Sequence, residues 1–450
     1  MAGLKYDEII KYVVHAKCEG PLHIGSSVGG KEDVLIHPVD HAPFIQASSI
    51  AGVFRSYAES YTDMDSDELF GTAHLDQKRS TTEQQSRIRF TDGKFDLSSV
   101  KMELRPHVKI DRNTGSVSSS KSSGQKFDME YVGAGAEFIT SIYLYLDSEE
   151  NSSMEKQVKM LFGAMKSGEM RFGAKKSSGA GSIVPISIKT KTFHLDQASD
   201  RENWLNEELL EDSAYEEIVD LLPKTNAHKE RYKVVVKGKT EGAILIKGLS
   251  VSEFGPGAPD SENIRNSNGD YIVPGSSFRG AMRSQMEKIS SYLGKESLIE
   301  DSFGKAGEDQ EESYAGNLVF SDAVIGDRMT NDMVELRHRI HIDKFTGGVF
   351  QQGLFAEKNA VGDIELEIAV IDKNQPDAVF GLLMLALRDL AGKVMTLGSG
   401  FSTGKGYIDV SEITIQKGED TAQVMFQEDV VVKDDSNIIQ DAITALKEAS

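Results

Sequence analysis

Hydrophobic positions near the end of the chain change from an almost continuous run to regular alternation. The stretch DAVFGLLMLALRDLAGK, which begins at Asp377, is apolar on nearly all sides and predicts a buried helix that ends near Gly392. The next stretch, VMTLGSGFSTGKGYIDVSEITI, combines a glycine-rich loop with an alternating segment typical of a strand. Strands on either side of such helices predict an α+β, ferredoxin-like (RRM-like) sheet with helices on one face.

Five short patterns occur twice, in the same order. YIVPGSSFRGAMRS at Tyr271 matches FIQASSIAGVFRS at Phe44, and LRHRIHIDKFTGGV at Leu336 matches LRPHVKIDRNTGSV at Leu104. The other pairs are GPLHIG and GAILIKG, LFG and SFG, and MRFGAKKSSGAGS and MTLGSGFSTGKGY. The offsets between the copies stay between 222 and 233 residues, so we infer two copies of one domain.

This repeat predicts a first domain over residues 1–195 and a second over 231–450, the latter with an acidic C-terminal tail. An acidic linker over 196–230 joins them. Its segment WLNEELLEDSAYEEIVDLL predicts an amphipathic helix. The apolar positions available for docking are Leu205, Leu209, Ile218 and Leu222.

The net charge of −21 would disfavour a polyanionic partner if it were spread evenly. It is concentrated instead in 196–220 (net −9), 300–312 (net −5) and 418–450 (net −6), which leaves the scaffold near neutral. Cys18 is the only cysteine, which excludes a disulfide framework and a multi-cysteine zinc site. The chain has no run of eighteen apolar residues and no secretory signal, so we expect a cytoplasmic protein.

Three elements in a fixed order carry a family resemblance. IVPGSSFRGAMRS, IHIDKFTGGVFQQGLFAEKNAVG and LGSGFSTGKGYIDV resemble the RAMP superfamily, and most closely the backbone subunits of type III (Csm- and Cmr-like) CRISPR effector complexes. A fusion of two such domains resembles the III-D branch. The resemblance implies a ferredoxin-like palm and a protruding β-hairpin thumb in each copy. The partners it implies are guide CRISPR RNA, target RNA, other RAMP subunits, a large polymerase-like subunit and a small subunit, with no membrane.

The resemblance also implies target cleavage by an aspartate in the loop between the first strand and the Ser-Ser helix. The target's own 2′-OH would attack the adjacent phosphate, with Mg²⁺ or another divalent metal and no organic cofactor. Asp33 in DVLIHP and Asp260 in DSENIRN match that position, as candidate catalytic residues and metal ligands. A carboxylate can hold a metal, orient a hydroxyl or accept its proton. Glu32 and Asp40 compete with Asp33, and a solvated loop acid is the alternative for both aspartates.

Helix starts and glycine-rich loops are the candidate contacts to the guide backbone. A Ser-Ser pair can cap a helix whose first N–H groups face an anion, and glycines let backbone N–H groups approach phosphates. The candidates are Ser48, Ser49, Arg55, Ser276, Ser277, Arg279, Arg283, Lys175, Lys176, Gly398, Gly400 and Lys405. Plain capping beside surface arginines, and tight turns before a strand, are the structural alternatives.

The segments that contain or follow Ile-Asp are the candidate thumbs. The first is polar and basic, whereas the second contains phenylalanines that could stack on a base. The candidates are Arg112, Thr114, Lys121, Lys344, Phe345, Thr346 and Phe350. A surface loop in the first copy and a buried aromatic cluster in the second are the alternatives.

These features predict a backbone subunit of a type III RNA-guided complex. It would bind guide RNA and, as a metal-dependent endoribonuclease, cleave the paired target at one site per domain. A non-catalytic RNA-binding subunit is one alternative. A RAMP endonuclease that processes precursor guide RNA is another, and His23 or His107 would then have to serve. A duplicated α+β protein that binds no nucleic acid is the third.

Overall fold

The computed structural model describes most of the chain, in two compact units. The described residues are 6–25, 33–60, 64–72, 85–108, 110, 126–147, 151–223, 230–248, 259–305, 313–326 and 334–449. The first unit comprises the described parts of Met1–Met102, Glu130–Ala174 and Ala180–Ala227. The second comprises those of Glu103–Met129, Lys175–Gly179 and His228–Ser450. Two short segments of the first sequence copy therefore belong to the second unit.

The first sequence copy and the segment after it contain nine strands and four α-helices among the described residues. In chain order these are β1 (Glu8–Cys18), β2 (Phe44–Ile45), α1 (Ala47–Glu59), α2 (Ser66–Phe70), β3 (Ile88–Phe90), β4 (Gly93–Phe95), β5 (Met102–Val108), β6 (Lys126–Val132), β7 (Glu137–Leu146), α3 (Asn151–Lys166), β8 (Ile183–His194), α4 (Ala198–Leu205) and β9 (Glu216–Glu217). The main sheet has the order β2-β4-β7-β1-β8-β9, and β3 also pairs with β7. Phe54 of α1 and Phe162 of α3 pack together, and Phe162 also packs on Tyr12 of β1, so both helices cover one face of this sheet.

The second sequence copy repeats this arrangement and extends it. Its elements are β10 (Glu230–Glu241), β11 (Ser261–Glu262), β12 (Ile272–Val273), α5 (Gly275–Leu293), α6 (Ser297–Phe303), β13 (Leu318–Phe320), β14 (Ala323–Val324), β15 (Val334–Ile342), β16 (Val349–Ala360), β17 (Asp363–Ile371), α7 (Pro376–Ala391), β18 (Tyr407–Lys417), β19 (Asp420–Phe426), β20 (Val430–Lys433) and α8 (Ile438–Glu448). Its main sheet has the order β13-β17-β10-β18-β19-β20.

The predicted tandem ferredoxin-like fold is confirmed. In both copies the first strand lies between the strand before and the strand after the second long helix, as β7-β1-β8 around α3 and as β17-β10-β18 around α7, and all these pairs are antiparallel. The two copies also share an irregularity in strand pairing. The pairing of the first with the last strand shifts register between His15 and Ala16, and at the corresponding positions Lys237 and Gly238. A β-bulge of this kind bends a strand locally, so both sheets bend at the same point.

The apolar helix predicted from Asp377 is α7, which Gly392 follows directly. The residues predicted as an acidic tail form β19, β20 and α8. The helix α8 buries Ile438, Ala442 and Leu446, while its acids face outward. A side chain at Gly381 of α7 would collide with the carbonyl oxygen of Ala442. The close approach of the two helices therefore requires glycine there.

The amphipathic helix predicted over 204–222 is wrong, because α4 ends at Leu205 and includes only the first two of these residues. Leu205, its last residue, is 82% exposed. The chain then continues in 3-10 turns at Glu207–Leu209, Asp212–Ala214 and Val219–Leu221. Ile218 is buried in the core of the first unit, and the Glu207 carboxylate lies 3.3 Å from the Lys11 ammonium. The acids of this segment therefore bind groups on the sheet instead of lining a solvated helix face.

Candidate nucleic-acid interface

The two Ser-Ser helices begin earlier than predicted. The residues before them are Gln46 for α1 and Pro274 for α5, and neither provides a side-chain cap. The serines lie in the first turn, so the predicted capping is wrong for Ser48, Ser49, Ser276 and Ser277. Their contact with RNA stays a prediction.

An aspartate from a distant turn accepts the first N–H of each helix. Asp92 Oδ1 lies 2.8 Å from Ala47 N, and Asp322 Oδ1 lies 2.8 Å from Gly275 N. The aspartates occur in FTDG and FSDA, which are 230 residues apart and form a sixth repeated pattern. That spacing is the signal from which the sequence could have identified both caps.

The helix arginines contact protein groups. Arg55 binds the carboxylates of Glu59 and Asp67, and Arg283 binds Glu287. Arg279 donates to the carbonyl oxygen of Phe303, the last residue of α6. Because an arginine already held by a carboxylate or a carbonyl oxygen must exchange that partner for phosphate, the predicted RNA contact of Arg55, Arg279 and Arg283 stays a prediction.

The glycine-rich loops are alike in backbone conformation. Each has four residues with positive φ at the same spacing, Gly173, Lys175, Gly179 and Gly181 in the first and Gly398, Gly400, Gly404 and Gly406 in the second. Lys175 is the one non-glycine residue of these eight, with φ of 57° where Gly400 has 83°. Lys175 and Lys176 are exposed, and the atoms packed around the Lys176 ammonium lower its pKa. Both lysines can therefore reach an anion.

Lys405 has a structural role that the sequence did not predict. It is 1% exposed, and its ammonium lies 2.7 Å from Glu357 Oε2 and 3.4 Å from Asn359 Oδ1. Glu357 also pairs with Arg339. The predicted phosphate contact of Lys405 is therefore wrong, because its charge is buried against β16 and holds the glycine loop to that strand.

The second thumb is a β-hairpin, as predicted. Strands β15 and β16 pair antiparallel, and β11 pairs parallel with the other edge of β16. At the tip, the Asp343 carboxylate accepts hydrogen bonds from Phe345 N and Thr346 Oγ1, and these bonds lower its pKa. Phe345 is 99% exposed and Lys344 is also exposed. Phe350 is 51% exposed and packs on the ring of His341, so these phenylalanines form no buried cluster.

The first thumb is described at its base, where β5 and β6 pair. The predicted tip residues Arg112, Thr114 and Lys121 lie outside the described residues. The outward-facing positions of β5 and β15 correspond, since Leu104 and Val108 in one and Leu336 and Ile340 in the other are all exposed. Each thumb therefore has an apolar outer face at its base.

Asp260 is attached to the second thumb. Its carboxylate Oδ2 accepts a hydrogen bond of 2.7 Å from Ala356 N in β16. Next to it, Glu262 accepts hydrogen bonds from Arg265 and Tyr271 and lies 3.4 Å from the Lys358 ammonium. Burial alone raises the pKa of Glu262, but the bonds from Tyr271 and Arg265 outweigh it, and the pKa is lowered. The ionised Glu262 thus orders two cations beside Asp260.

Asp33 is exposed, and the segment that begins with it is hydrogen-bonded to the first thumb. The next residue, Val34, donates its N–H to Glu130 Oε2 of β6 at 3.3 Å. The ring Nδ1 of His23 donates to the carbonyl oxygen of Glu130 at 2.7 Å, and His23 is 5% exposed. In both copies, the segment with the candidate aspartate is bonded to the second strand of its thumb.

The family model for the RAMP superfamily matches residues 15–184 and 233–409, which is more than half of the chain. The chain belongs to the RAMP superfamily. One matched region falls in each sequence copy. No curated protein matches the chain. RAMP membership supports a CRISPR-associated role in RNA binding, and RAMP proteins generally function with a guide RNA and other Cas subunits.

A metal at either RAMP aspartate would have few protein ligands. Across the described ranges, no three His, Cys, Asp or Glu side chains come together as a metal site. Mg²⁺ is commonly bound by only one or two carboxylates, with water and substrate phosphates as the other ligands. With Oδ2 of Asp260 bonded to Ala356 N, its Oδ1 could face such an ion beside RNA.

Two features of this RAMP protein were not predicted from sequence. Phe401 lies in the second glycine loop, at the position of Lys176 in the first, and is 66% exposed. Arg265 and Lys358 form the cationic pair beside Asp260. Within the described parts of the chain, no helix is long and apolar enough to cross a membrane.

Proposed function

We propose that the protein is a backbone subunit of a type III CRISPR effector complex that binds guide RNA and cleaves the paired target RNA once per domain. The observation that carries the proposal is the attachment of the Asp260 carboxylate to β16 of the thumb. This contact places an acid at the base of the element that, by family resemblance, displaces a base pair.

The chemistry needs little from the protein. The target's 2′-oxygen attacks the adjacent phosphorus, the bond to the 5′-oxygen breaks, and that oxygen takes a proton from water, which gives a cyclic phosphate and a 5′-hydroxyl. Asp260 Oδ1 orients the 2′-OH and accepts its proton, while Arg265 and Lys358 offset the charge on the phosphate. A divalent metal, when bound by the same carboxylate, supplies further charge stabilisation. Asp33 has the corresponding role in the first copy.

Processing of precursor guide RNA is less well supported. It would depend on His23 or His107 as the acid–base group. The ring of His23 is almost fully buried and bonded to a carbonyl oxygen, and the ring of His107 stacks on Phe127. Neither arrangement resembles a histidine ready to exchange protons with a bound RNA.

The test is target cleavage by the complex purified from its host with substitutions in this chain. Asp260→Asn retains an oxygen that can accept from Ala356 N, so the loop should stay attached while the charge is lost. We expect one product band to fall about 10²–10⁴-fold and the other to remain. Asp33→Asn should remove the other band, and chelation should remove both.

Asp429→Asn, which removes an exposed acid between β19 and β20, is the matched control and should leave both bands unchanged. Guide RNA recovered with each variant shows whether the complex has assembled. A doubly substituted protein that keeps its guide and cleaves at the wild-type rate would refute the catalytic assignment and favour a purely structural RNA-binding subunit.

A further inference from the structure

A buried arginine fixes the base of the first thumb within the second unit. The Arg105 side chain is 7% exposed, with one nitrogen 2.7 Å from Glu103 Oε2 and another 2.7 Å from Asp322 Oδ2. Asp322 is the residue that accepts the first N–H of α5. A buried charge is tolerated only when it is paired in this way, so the contact is specific for an aspartate-capped helix start.

A second contact, between backbones, accompanies this ion pair. A Cβ at Gly275 would lie 2.7 Å from the carbonyl oxygen of Ser178, and even closer to that of Phe320. A Cβ at Gly179 would lie 3.0 Å from Asp322 N. We call Arg105 with the loop 176–179 the first docking edge, and Gly275 with Asp322 its receiving surface. The first docking edge can approach the start of α5 this closely because the first residue of that helix is a glycine without a side chain.

The second sequence copy has a docking edge of its own. Arg337 aligns with Arg105, and the loop 401–404 aligns with 176–179. Around a Cβ built on Gly404, no described atom lies within 4 Å, and Phe401 is 66% exposed. The aligned Gly179 is in contact with the turn at Asp322, so the second edge has room for the same kind of surface.

The chain's other helix start does not match this edge. Asp92 caps α1 as Asp322 caps α5, but Ala47 stands where α5 has Gly275. A Cβ at Gly275 would lie 2.7 Å from the carbonyl oxygen of Ser178, so the methyl group of Ala47 would collide with the corresponding carbonyl group of a docking loop. Steric exclusion of this kind is a common means of rejecting one partner while accepting another.

We propose that the second docking edge, Arg337 with the loop 401–404, binds the helix start of a different RAMP subunit that begins with glycine and is capped by an aspartate. Ala47 excludes a second copy of this chain from that place. This inference rests on the proposed function, because the effector complex supplies the other subunit.

The test is site-specific cross-linking in the assembled complex, with a photoreactive amino acid at Ser402. We expect a cross-linked peptide from another RAMP subunit, at a Gly-Ser helix start or at its capping aspartate. The matched control is Ser177, the aligned residue, which should cross-link within this chain near Gly275 or Asp322. Cross-links from Ser402 to RNA, to a subunit without a RAMP domain or to residues 44–55 of a second copy would overturn the proposal.

Two substitutions test the chemistry of the contact. Arg337→Glu should reduce the Ser402 cross-link more than tenfold, since it places a carboxylate against the capping aspartate. Ala47→Gly should let the isolated 49.3 kDa chain self-associate, and Asp92→Asn should reverse this. An Ala47→Gly chain that stays monomeric would refute the exclusion by Ala47. Guide RNA should be recovered with every variant, so its loss would indicate failure of the proposed function instead.

Discussion

Replacing Lys405 by Met should destabilise the second unit without removing an RNA contact. The ammonium is buried between Glu357 and Asn359, and the substitution keeps most of the aliphatic stem while deleting the charge. Removing one partner of a buried ion pair costs about 3–5 kcal/mol, because the other charge is left in the protein interior. Glu357 keeps Arg339 at 3.0 Å, so we expect the lower end, about 3 kcal/mol.

Amide hydrogen exchange of β16 and the second glycine loop is the suitable assay, because the single tryptophan, Trp204, lies in the first unit and does not report on the second. A loss of about 3 kcal/mol corresponds to roughly a hundredfold drop in protection where exchange requires opening of the whole unit. In the Lys405→Met, Glu357→Gln double variant much of the loss should be recovered, because the charge that then lacks its partner is Arg339, whose side chain is 29% exposed and can be solvated.

Lys175→Met is the control, since this exposed lysine stands in the corresponding loop. It should leave exchange unchanged and weaken RNA binding at low salt, because it removes the phosphate contact that we predict for this lysine. The reasoning fails if Lys405→Met leaves exchange unchanged and instead makes RNA binding weaker and less dependent on salt. That outcome would assign Lys405 to the RNA after all.

Three further predictions concern exposed or capping groups. Phe345→Ala should weaken target binding by the complex by about 1–3 kcal/mol without changing the melting temperature, because the ring is 99% exposed and available for stacking. Asp92→Asn should lower the free energy of unfolding by less than about 2 kcal/mol, as for the loss of a helix cap. Asp322→Asn should lower it by more, because the buried Arg105 then also loses one of its two carboxylate partners, and urea denaturation can compare the two variants. Hydrogen bonds from Phe345 and Thr346 lower the pKa of Asp343. Its stabilisation of the thumb tip should therefore be complete above the ordinary carboxyl pKa of about 4 and be lost as the pH falls below it. The amide NMR shift of Phe345 can follow this change.

Hydrophobic periodicity and repetition were sufficient to predict the fold. The continuous apolar run from Asp377 and the alternation after Tyr407 identified α7 and β18, because burial on all sides or on one face leaves a direct trace in the sequence. The second thumb was also predictable, since the polar turn at Asp343 separates two strand-like segments. These features depend on residues close together in the chain.

The corrections concern contacts between residues far apart in the chain. Ala47 and Asp92, which caps its helix, are 45 residues apart. The buried Lys405 of the glycine loop contacts Glu357 of β16, which is 48 residues earlier in the chain. The helix predicted after Trp204 does not form, and Glu207 pairs with Lys11 of the sheet. No local sequence pattern contains these pairings. The sequence therefore suggested helix capping for the serines and a phosphate contact for Lys405.

The hydrogen bond between Asp260 and Ala356 has a consequence for how cut sites would be spaced. A carboxylate bonded to the thumb strand moves together with that strand. The position of the thumb would therefore determine the position of the cut, with no base recognised by the protein. We expect two inserted residues in the Lys344–Gly348 turn to leave the cut in place. A one-residue shift of β16 against β11 would instead change its phase. If the proposed cleavage is correct, the cut position would depend on the register of the thumb strand and not on the sequence of the target.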